Sequence, residues 1–258
     1  VPELPDVEGF RRTFAEFATG KTVRAVRWID SSMLRNTSAA RLAGALKDAR
    51  FSEPQRHGKL LICFTGGPAT LLFHFGMTGT FVWCEGGHRH PHDRLALEFG
   101  DGQLRYRNMR KFGGVWLARS AADLGRIRGR LGPDWESVSR SEFDSLLEGR
   151  RASVKAVLLD QSVAAGLGNL TADESLWQAR IDPARSASSL DAGERTALYR
   201  KIQKVLRDSI PYGLVPTKRS WLTGARAGKP AVCPRCGERL LRRQVAGRTT
   251  YSCPREQS

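Results

Sequence analysis

The apolar residues of this chain change their period once, and that change limits what the chain can fold into. From about Thr22 to Leu117 they come in short runs broken by glycine. Val23–Ile29 largely alternates, Lys59–Phe64 and Thr70–Phe75 are nearly continuous, and Arg94–Phe99, Leu104–Tyr106 and Val115–Leu117 are shorter. Such runs predict strands. From Arg140 the spacing becomes helical, over Arg140–Glu148, Ser153–Leu159, Asn169–Ala179 and Ala192–Ser209. Ser139 with Glu142 reads as a capping box for the first of these, and Asp191 and Pro211-Tyr212-Gly213 bound the last. Strands followed by helices predict an α+β chain, a β-sandwich and then a helical part. With 258 residues there is room for both cores. Val7, Phe10, Phe14 and Phe17 add a helix ahead of the sandwich, and Ala40–Ala49 a short helix interrupting it. The expected divisions are 1–118 for the sandwich domain, 119–133 for a polar linker ending Leu131-Gly132-Pro133, 134–210 for the helical domain, and 211–258 for a connecting loop and a small cysteine module.

Charge narrows the partners. Lysine and arginine number 42 against 26 aspartates and glutamates, a net +16, and from Lys201 onward 13 basic residues face 3 acidic ones. A field of that sign points to a polyanion, nucleic acid first, with a merely solubilising surface as the plain alternative. No apolar run approaches a membrane span and no leader precedes the first helix, so a cytoplasmic monomer with no membrane partner is expected.

Chemistry is suggested at three places. Pro2-Glu3-Leu4-Pro5 puts a proline beside an acid at the head of a helix. Freed of Val1, the Pro2 nitrogen is a secondary amine able to attack a sugar aldehyde carbon and form an iminium; otherwise the segment is an ordinary Pro-containing helix start. Gly166-Leu167-Gly168-Asn169 joins two helices, where backbone N–H groups and the Asn169 amide are suited to a phosphate, or simply to a turn. Cys233-x2-Cys236, then Cys253-x2-Glu256, has zinc-ribbon spacing with a carboxylate where a fourth thiolate is usual. A Cys3Glu zinc site and a ribbon held by packing alone are both open. Cys63, in an apolar run, reads as a buried thiol, and Cys84 carries no assignment. His88, His90 and His92 alternate, but Gly86, Gly87 and Pro91 make an exposed loop the expectation over a metal site.

Together these segments resemble the bacterial formamidopyrimidine-DNA glycosylase/endonuclease VIII family through most of the chain. Pro2-Glu3-Leu4-Pro5 is similar to its catalytic N-terminus, Arg56-His57-Gly58-Lys59 to its catalytic-lysine segment, and His74-Phe75-Gly76-Met77-Thr78-Gly79 to a strand and its intercalation loop. Lys155, Leu158-Leu159-Asp160-Gln161, Gly168-Asn169-Leu170 and Asp173-Glu174 resemble its helix-two-turn-helix core, and Gln244–Tyr251 its zinc-finger hairpin with Arg248 at the tip. The resemblance implies a bifunctional DNA glycosylase and abasic-site lyase of base excision repair. Pro2 would attack C1′, Glu3 would handle protons, and Lys59 would bind the phosphate near the lesion. His74, Lys155, Asn169 and Arg248 would hold the DNA backbone. Met77, Arg110 and Phe112 would fill the gap left by the extruded nucleotide. The partner would be double-stranded DNA with damaged bases or abasic sites; the cofactor expected from the cysteine spacing is one structural zinc held by Cys233, Cys236 and Cys253, with Glu256 as the candidate for a fourth ligand that stays open.

Two departures stand out. Arg107-Asn108-Met109-Arg110-Lys111-Phe112-Gly113 stands where the family often has an Asp-Pro pair before Arg-Arg-Phe-Gly, which leaves the loop conformation open. The stretch from Ile210 to Val232 is too short for a long cover over a flipped purine, so oxidised pyrimidines, ring-opened purines and abasic sites are expected ahead of 8-oxoguanine. Within it, Trp221 would either stack on a flipped base or anchor the loop. Val1, if retained, makes Pro2 an amide; the alternative is then an inactive damaged-DNA or abasic-site binder of the same fold. The expectation is that Val1 is a start residue read as methionine and removed.

Overall fold

The computed structural model describes residues 2–258, so Val1 and its removal lie outside the described residues. The chain divides into two compact units, one of Pro2 and residues 7–129, the other of Glu3–Asp6 and Arg130–Ser258.

The first unit takes most of α1 (Leu4–Ala18) and then β1 (Ala25–Arg27), α2 (Ala39–Leu46), β2 (Gln55–His57), β3 (Leu60–Phe64), β4 (Thr70–His74), β5 (Gly79–Cys84), β6 (Asp93–Glu98), β7 (Gln103–Asn108), β8 (Gly114–Ala118) and α3 (Ala121–Arg128). The strands form two antiparallel four-stranded sheets, ordered β1-β6-β7-β5 and β2-β3-β4-β8. Side-chain alternation sends Leu61, Cys63, Leu71, Phe73 and Val115 of one sheet and Phe81, Leu95, Leu97, Leu104 and Tyr106 of the other into one core, joined by Val7 and Phe14 of α1. The sandwich expected from the sequence is present.

Leu60, Ile62, Leu72 and Ala118 point the other way and pack with Leu124 and Ile127 of α3. Strand β3 is therefore buried on both faces, which is why its sequence is a continuous apolar run rather than an alternation. The segment read as a linker, 119–133, thus contains a helix capped by Ser120, whose Oγ accepts the Asp123 N–H. Only two apolar residues three apart dock it, too faint a signal among its charges and Gly125 for the pattern to register.

The second unit contains α4 (Arg140–Leu147), α5 (Val154–Leu159), α6 (Asn169–Ala179), α7 (Ala192–Ser209), the short α8 (Leu222–Ala225) and the hairpin of β9 (Leu241–Val245) and β10 (Arg248–Ser252). The Ser139–Glu142 capping box forms as expected, and Asp191 with Glu194 makes a second. The hairpin turns on Ala246 and Gly247, both at positive φ, as a two-residue loop of type I′ requires. Leu4, Trp135, Phe143, Leu176, Leu198 and Ile202 are part of the core. Helix α6 is buried from Thr171 through Gln178 although five of those residues, Thr171, Asp173, Glu174, Ser175 and Gln178, are polar. Buried polar side chains need partners, and most of the interest of this unit lies in how they are supplied.

Candidate functional site

In the first unit, strand register brings the sequence-identified residues together. His74 ends β4, pairing with Leu60 on one side and Gly114 on the other, and Asn108 ends β7 opposite Gly79 at the start of β5. Lys59, His74, the 75–78 turn and the 109–113 loop are thereby gathered at one end of the sandwich. Lys59 is half-buried, Met77 half-buried, and Arg110 exposed with its guanidinium 4.8 Å from the centre of the exposed Phe112 ring. His74 accepts the Gly76 N–H at Nδ1 (3.2 Å), leaving Nε2 as the donor. Burial lowers its pKa, and the positive charges of Lys59 and Arg35 lower it further, so the ring is neutral near pH 7.

The turn and loop interlock. A Cβ on Gly76 would lie 2.5 Å from backbone atoms of Phe112 and Gly113, and one on Gly113 would lie 2.2 Å from the His74 carbonyl, so neither position admits a side chain. Asn108, fully buried, ties the two together. Its Nδ2 donates to the Phe75 carbonyl (3.1 Å), and its Oδ1 accepts from Thr78 Oγ1 (3.1 Å) and the Lys111 N–H (3.0 Å). The loop whose wording departs from the family is thus firmly built, around a residue the sequence reading passed over.

In the second unit, the Glu3 carboxylate sits at the N-terminus of α6. Its oxygens accept the N–H groups of Gly168 (3.2 Å), Leu170 (2.7 Å) and Thr171 (3.0 Å) and the Thr171 hydroxyl (2.6 Å). Of the two readings of the glycine turn, this leaves the plain turn: an acid from the far end of the chain already occupies the anion site that a phosphate would need. The glycines serve that approach. A Cβ on Gly168 would lie 2.3 Å from the Glu3 carboxyl carbon, and one on Gly166 2.6 Å from the Leu4 side chain. Leu4 N–H donates to the Gly166 carbonyl (3.0 Å), and Asp6 accepts the Glu3 N–H (2.9 Å). Burial pushes the Asp6 carboxyl up to about 6.

Lys155 is a correction. Expected on the surface, it is fully buried, its Nζ 2.6 Å from both Asp173 Oδ1 and Thr250 Oγ1. Arg226 NH1 lies 3.6 Å from the other Asp173 oxygen. Burial pulls the Lys155 amine down and pushes the Asp173 carboxyl up, each partly opposed by the other's charge. Asn169 is half-buried and its Nδ2 donates to the Thr249 carbonyl (2.9 Å). Both residues fasten the β9–β10 hairpin to the helices, while Arg248, next to its turn, is exposed.

Cys233, Cys236 and Cys253 have their sulfurs within 4.8 Å of one another, those of Cys236 and Cys253 3.5 Å apart. Thiolates around one tetrahedral zinc are roughly 3.8 Å apart, given Zn–S near 2.3 Å, so the three fit a single metal ion. Trp177 Nε1 donates to Cys233 Sγ (3.4 Å), linking the cluster to the C-terminal end of α6. Glu256 is the second correction. Its carboxylate is not part of the group and faces the guanidinium groups of Arg180 (3.5 Å) and Arg235 (3.9 Å), which supply it with counter-charge. The cysteines are the one group of metal-type side chains gathered among the described residues. His88 is exposed in its loop, and His90 Nδ1 accepts the His92 N–H (3.1 Å). Trp221 is buried with Val205 and Val215, as a loop anchor is.

Sequence reasoning missed Asn108, Asp6 and Arg226, and gave Asp173 no role. For Asp173 a signal existed: an acid amid Ala172, Leu176 and Trp177 in a buried helix demands a cation.

Residues 1–115 match the family described as formamidopyrimidine-DNA glycosylase N-terminal domain, and residues 131–219 the family described as formamidopyrimidine-DNA glycosylase H2TH domain. The formamidopyrimidine-DNA glycosylase of Pelotomaculum thermopropionicum is 35% identical over 98% of each chain. That of Thermus thermophilus is 36% identical over 98% of this chain and 97% of the other. Lactococcus lactis Fpg, solved with DNA containing an abasic site, matches with a TM-score of 0.91 at 28% identity over 99% of each chain. MutM, solved with DNA containing carbocyclic 8-oxo-G, matches at 0.89 and 30% identity over the whole of both chains.

Proposed function

The chain belongs to the formamidopyrimidine-DNA glycosylase family and is a DNA glycosylase and abasic-site lyase acting on DNA with damaged bases or abasic sites, and from that premise we propose that Pro2 is its nucleophile and Glu3 its proton-handling group. The observation that carries this reading is the fixing of Glu3, the residue bonded to Pro2, by four donors at the head of α6. A reacting terminus must be held still to be effective, and an ordinary chain end is not.

The Pro2 nitrogen attacks C1′ with its lone pair, the N-glycosidic bond breaks, and the base leaves with the bonding pair and gains a proton. Opening of the sugar ring gives an iminium, which draws electrons from C2′. Loss of a C2′ proton expels the 3′ phosphate, loss of a C4′ proton then expels the 5′ phosphate, and water hydrolyses the iminium to free Pro2. Glu3 relays the protons at the ring oxygen and the leaving base.

Lys59, His74 and Arg248 contact phosphates and Asn169 supports them, while Met77, Arg110 and Phe112 fill the vacated stack. Lys155 acts at one remove, by holding Asp173 and Thr250 and so the hairpin that carries Arg248. Zinc is the metal the three thiols suit; it would be held by Cys233, Cys236 and Cys253 with a fourth ligand other than Glu256. When bound it supplies rigidity at the base of the hairpin and no chemistry.

A Pro2 nitrogen bonded to Val1 is an amide, so the reading requires Val1 to be absent from the working enzyme. Intact-mass measurement on protein made from its native start should show a Pro2 terminus, and borohydride should trap a covalent adduct with abasic DNA. A processed terminus that gives no adduct would sink the lyase assignment of Pro2, and retained Val1 would leave a DNA binder. The same preparation, in single turnover, should release thymine glycol or dihydrouracil faster than 8-oxoguanine opposite cytosine.

A further inference from the structure

The tip that carries Met77, Arg110 and Phe112 bears one more large apolar side chain than those three roles account for. In the first unit, the large apolar side chains that stand exposed among the described residues are Phe112 at 57% and Met109 at 54%, three positions apart on one loop. Met109 is not on a slack segment. On one side of it the Asn108 side chain is locked by the contacts to Phe75, Thr78 and Lys111, and its carbonyl accepts Arg94 Nε (2.8 Å). On the other side the Arg110 N–H donates to Thr78 Oγ1 (3.1 Å). Thr78 follows Met77, so the backbone on both sides of Met109 is fastened to the turn that carries Met77. Asp30 braces the loop from below, 2.9 Å from Lys111 Nζ and 3.5 Å from Arg94 NH1.

A pinned backbone that holds an unbranched, polarizable side chain in water, beside an arginine stacked on a phenylalanine, is suited to a surface of flat apolar faces that appears only on binding. Extrusion of a nucleotide creates such a surface, since it uncovers the bases bordering the gap. We propose that Met109 is a fourth gap-filling side chain, packing on the bases that border the vacated position; this rests on the reading of Met77, Arg110 and Phe112 given above. Methionine has no donor with which to read a base edge. Its contribution is therefore the same whichever base lies opposite the gap, and opposite-base preference stays with Arg110.

The test uses the full-length protein and duplexes with a tetrahydrofuran abasic analogue, which binds without reacting, opposite each of the four bases. Met109→Ala and Met109→Pro both remove the side chain, the second keeping the loop stiff; the extended strand residue Asn108 suits a following proline. Both should raise Kd about five- to tenfold by a common factor across the four duplexes, lower the fluorescence change of a 2-aminopurine beside the gap, and leave the melting temperature unchanged. Arg110→Ala should instead reorder the four. Wild-type affinity and 2-aminopurine response, within twofold, in both Met109 variants would overturn the proposal, as would a loss confined to one opposite base. The borohydride result does not bear on this binding, so failure of Pro2 chemistry and failure of Met109 are separable. Absence of any preference of wild type for the analogue over undamaged duplex would defeat both this inference and the gap-filling roles beneath it.

Discussion

The sandwich tip and the buried helix α6 use the same kinds of residue in opposite ways. At the tip, Arg110 and Phe112 stand in solvent and the polar residue that organises them, Asn108, is inside. Around α6 several charged residues are themselves inside: Glu3 caps the helix and Lys155 is paired with Asp173, while Arg248 at the hairpin turn is exposed. What separates a grip from a strut is whether the chain supplies its own counter-charge. Lys155 has an acid and a hydroxyl at hydrogen-bond distance, whereas the Arg110 guanidinium lies over the Phe112 ring with no acid at ion-pair distance among the described residues. A phosphate could add little to Lys155, which has no exposed surface.

The largest effect expected from that distinction is on stability. Lys155→Met leaves Asp173 buried with only Arg226 and the Tyr251 N–H nearby, and losing one partner of a buried pair costs about 3–5 kcal/mol. Denaturant unfolding should show that loss, while in an Arg248→Ala background, where the hairpin's own phosphate contact is already gone, Lys155→Met should leave the dependence of DNA affinity on salt with the same slope. Arg248→Ala should do the reverse, leaving the unfolding midpoint in place and reducing the salt slope by about one ion. If Lys155→Met lowered the slope further in the Arg248→Ala background, Lys155 would be a grip after all and the contrast would fail.

Metal removal should act on the same hairpin less severely, since Lys155 and Asn169 also hold it. Protein purified without chelator should contain about one zinc per chain, and its removal should weaken binding to abasic DNA by about tenfold through looser placement of Arg248. Glu256→Gln should leave zinc content unchanged, because the carboxylate faces Arg180 and Arg235. A metal content that fell with Glu256→Gln would return Glu256 to the ligand set.

How much of this the sequence could say differs between the two regions for a physical reason. Periodicity reports burial, so the sandwich, most helices and the Ser139–Glu142 cap were legible, although α3 was read as linker, the three-residue β2 was too short to show a period, and β5 escaped because its Gly79 start merges with the preceding turn. The tip residues were legible because their motif is local. The α6 network was not, since it joins Glu3 to Thr171, and Lys155 to Thr250, across long stretches of chain. Gly166 and Gly168 show the limit plainly: two glycines before a helix fit a phosphate and an intramolecular carboxylate equally well until the carboxylate is found.

The smallest effect concerns Asp6, an interior acid treated unlike Glu3. Glu3 collects four donors, whereas the Asp6 carboxylate is raised to about 6 chiefly by burial, with the Glu3 N–H opposing the rise and the Glu3 charge adding to it. An unfolded aspartate titrates near 3.9. Between about pH 4 and pH 6 the folded state therefore keeps a proton that the unfolded state has lost, and stability falls as pH rises through that window and is level above it. About two units correspond to roughly 3 kcal/mol, and partial exposure of the group reduces this to about 1–2 kcal/mol. Asp6→Asn keeps an acceptor for the Glu3 N–H without the titration. On going from pH 7.5 to pH 5.0, which crosses the upper half of that window, wild type should gain about 0.5–1 kcal/mol relative to Asp6→Asn in urea unfolding, the other groups cancelling in the comparison. Parallel pH profiles would mean that Asp6 is solvated like a surface carboxylate, and would confine the burial of charge in the second unit to the contacts of α6.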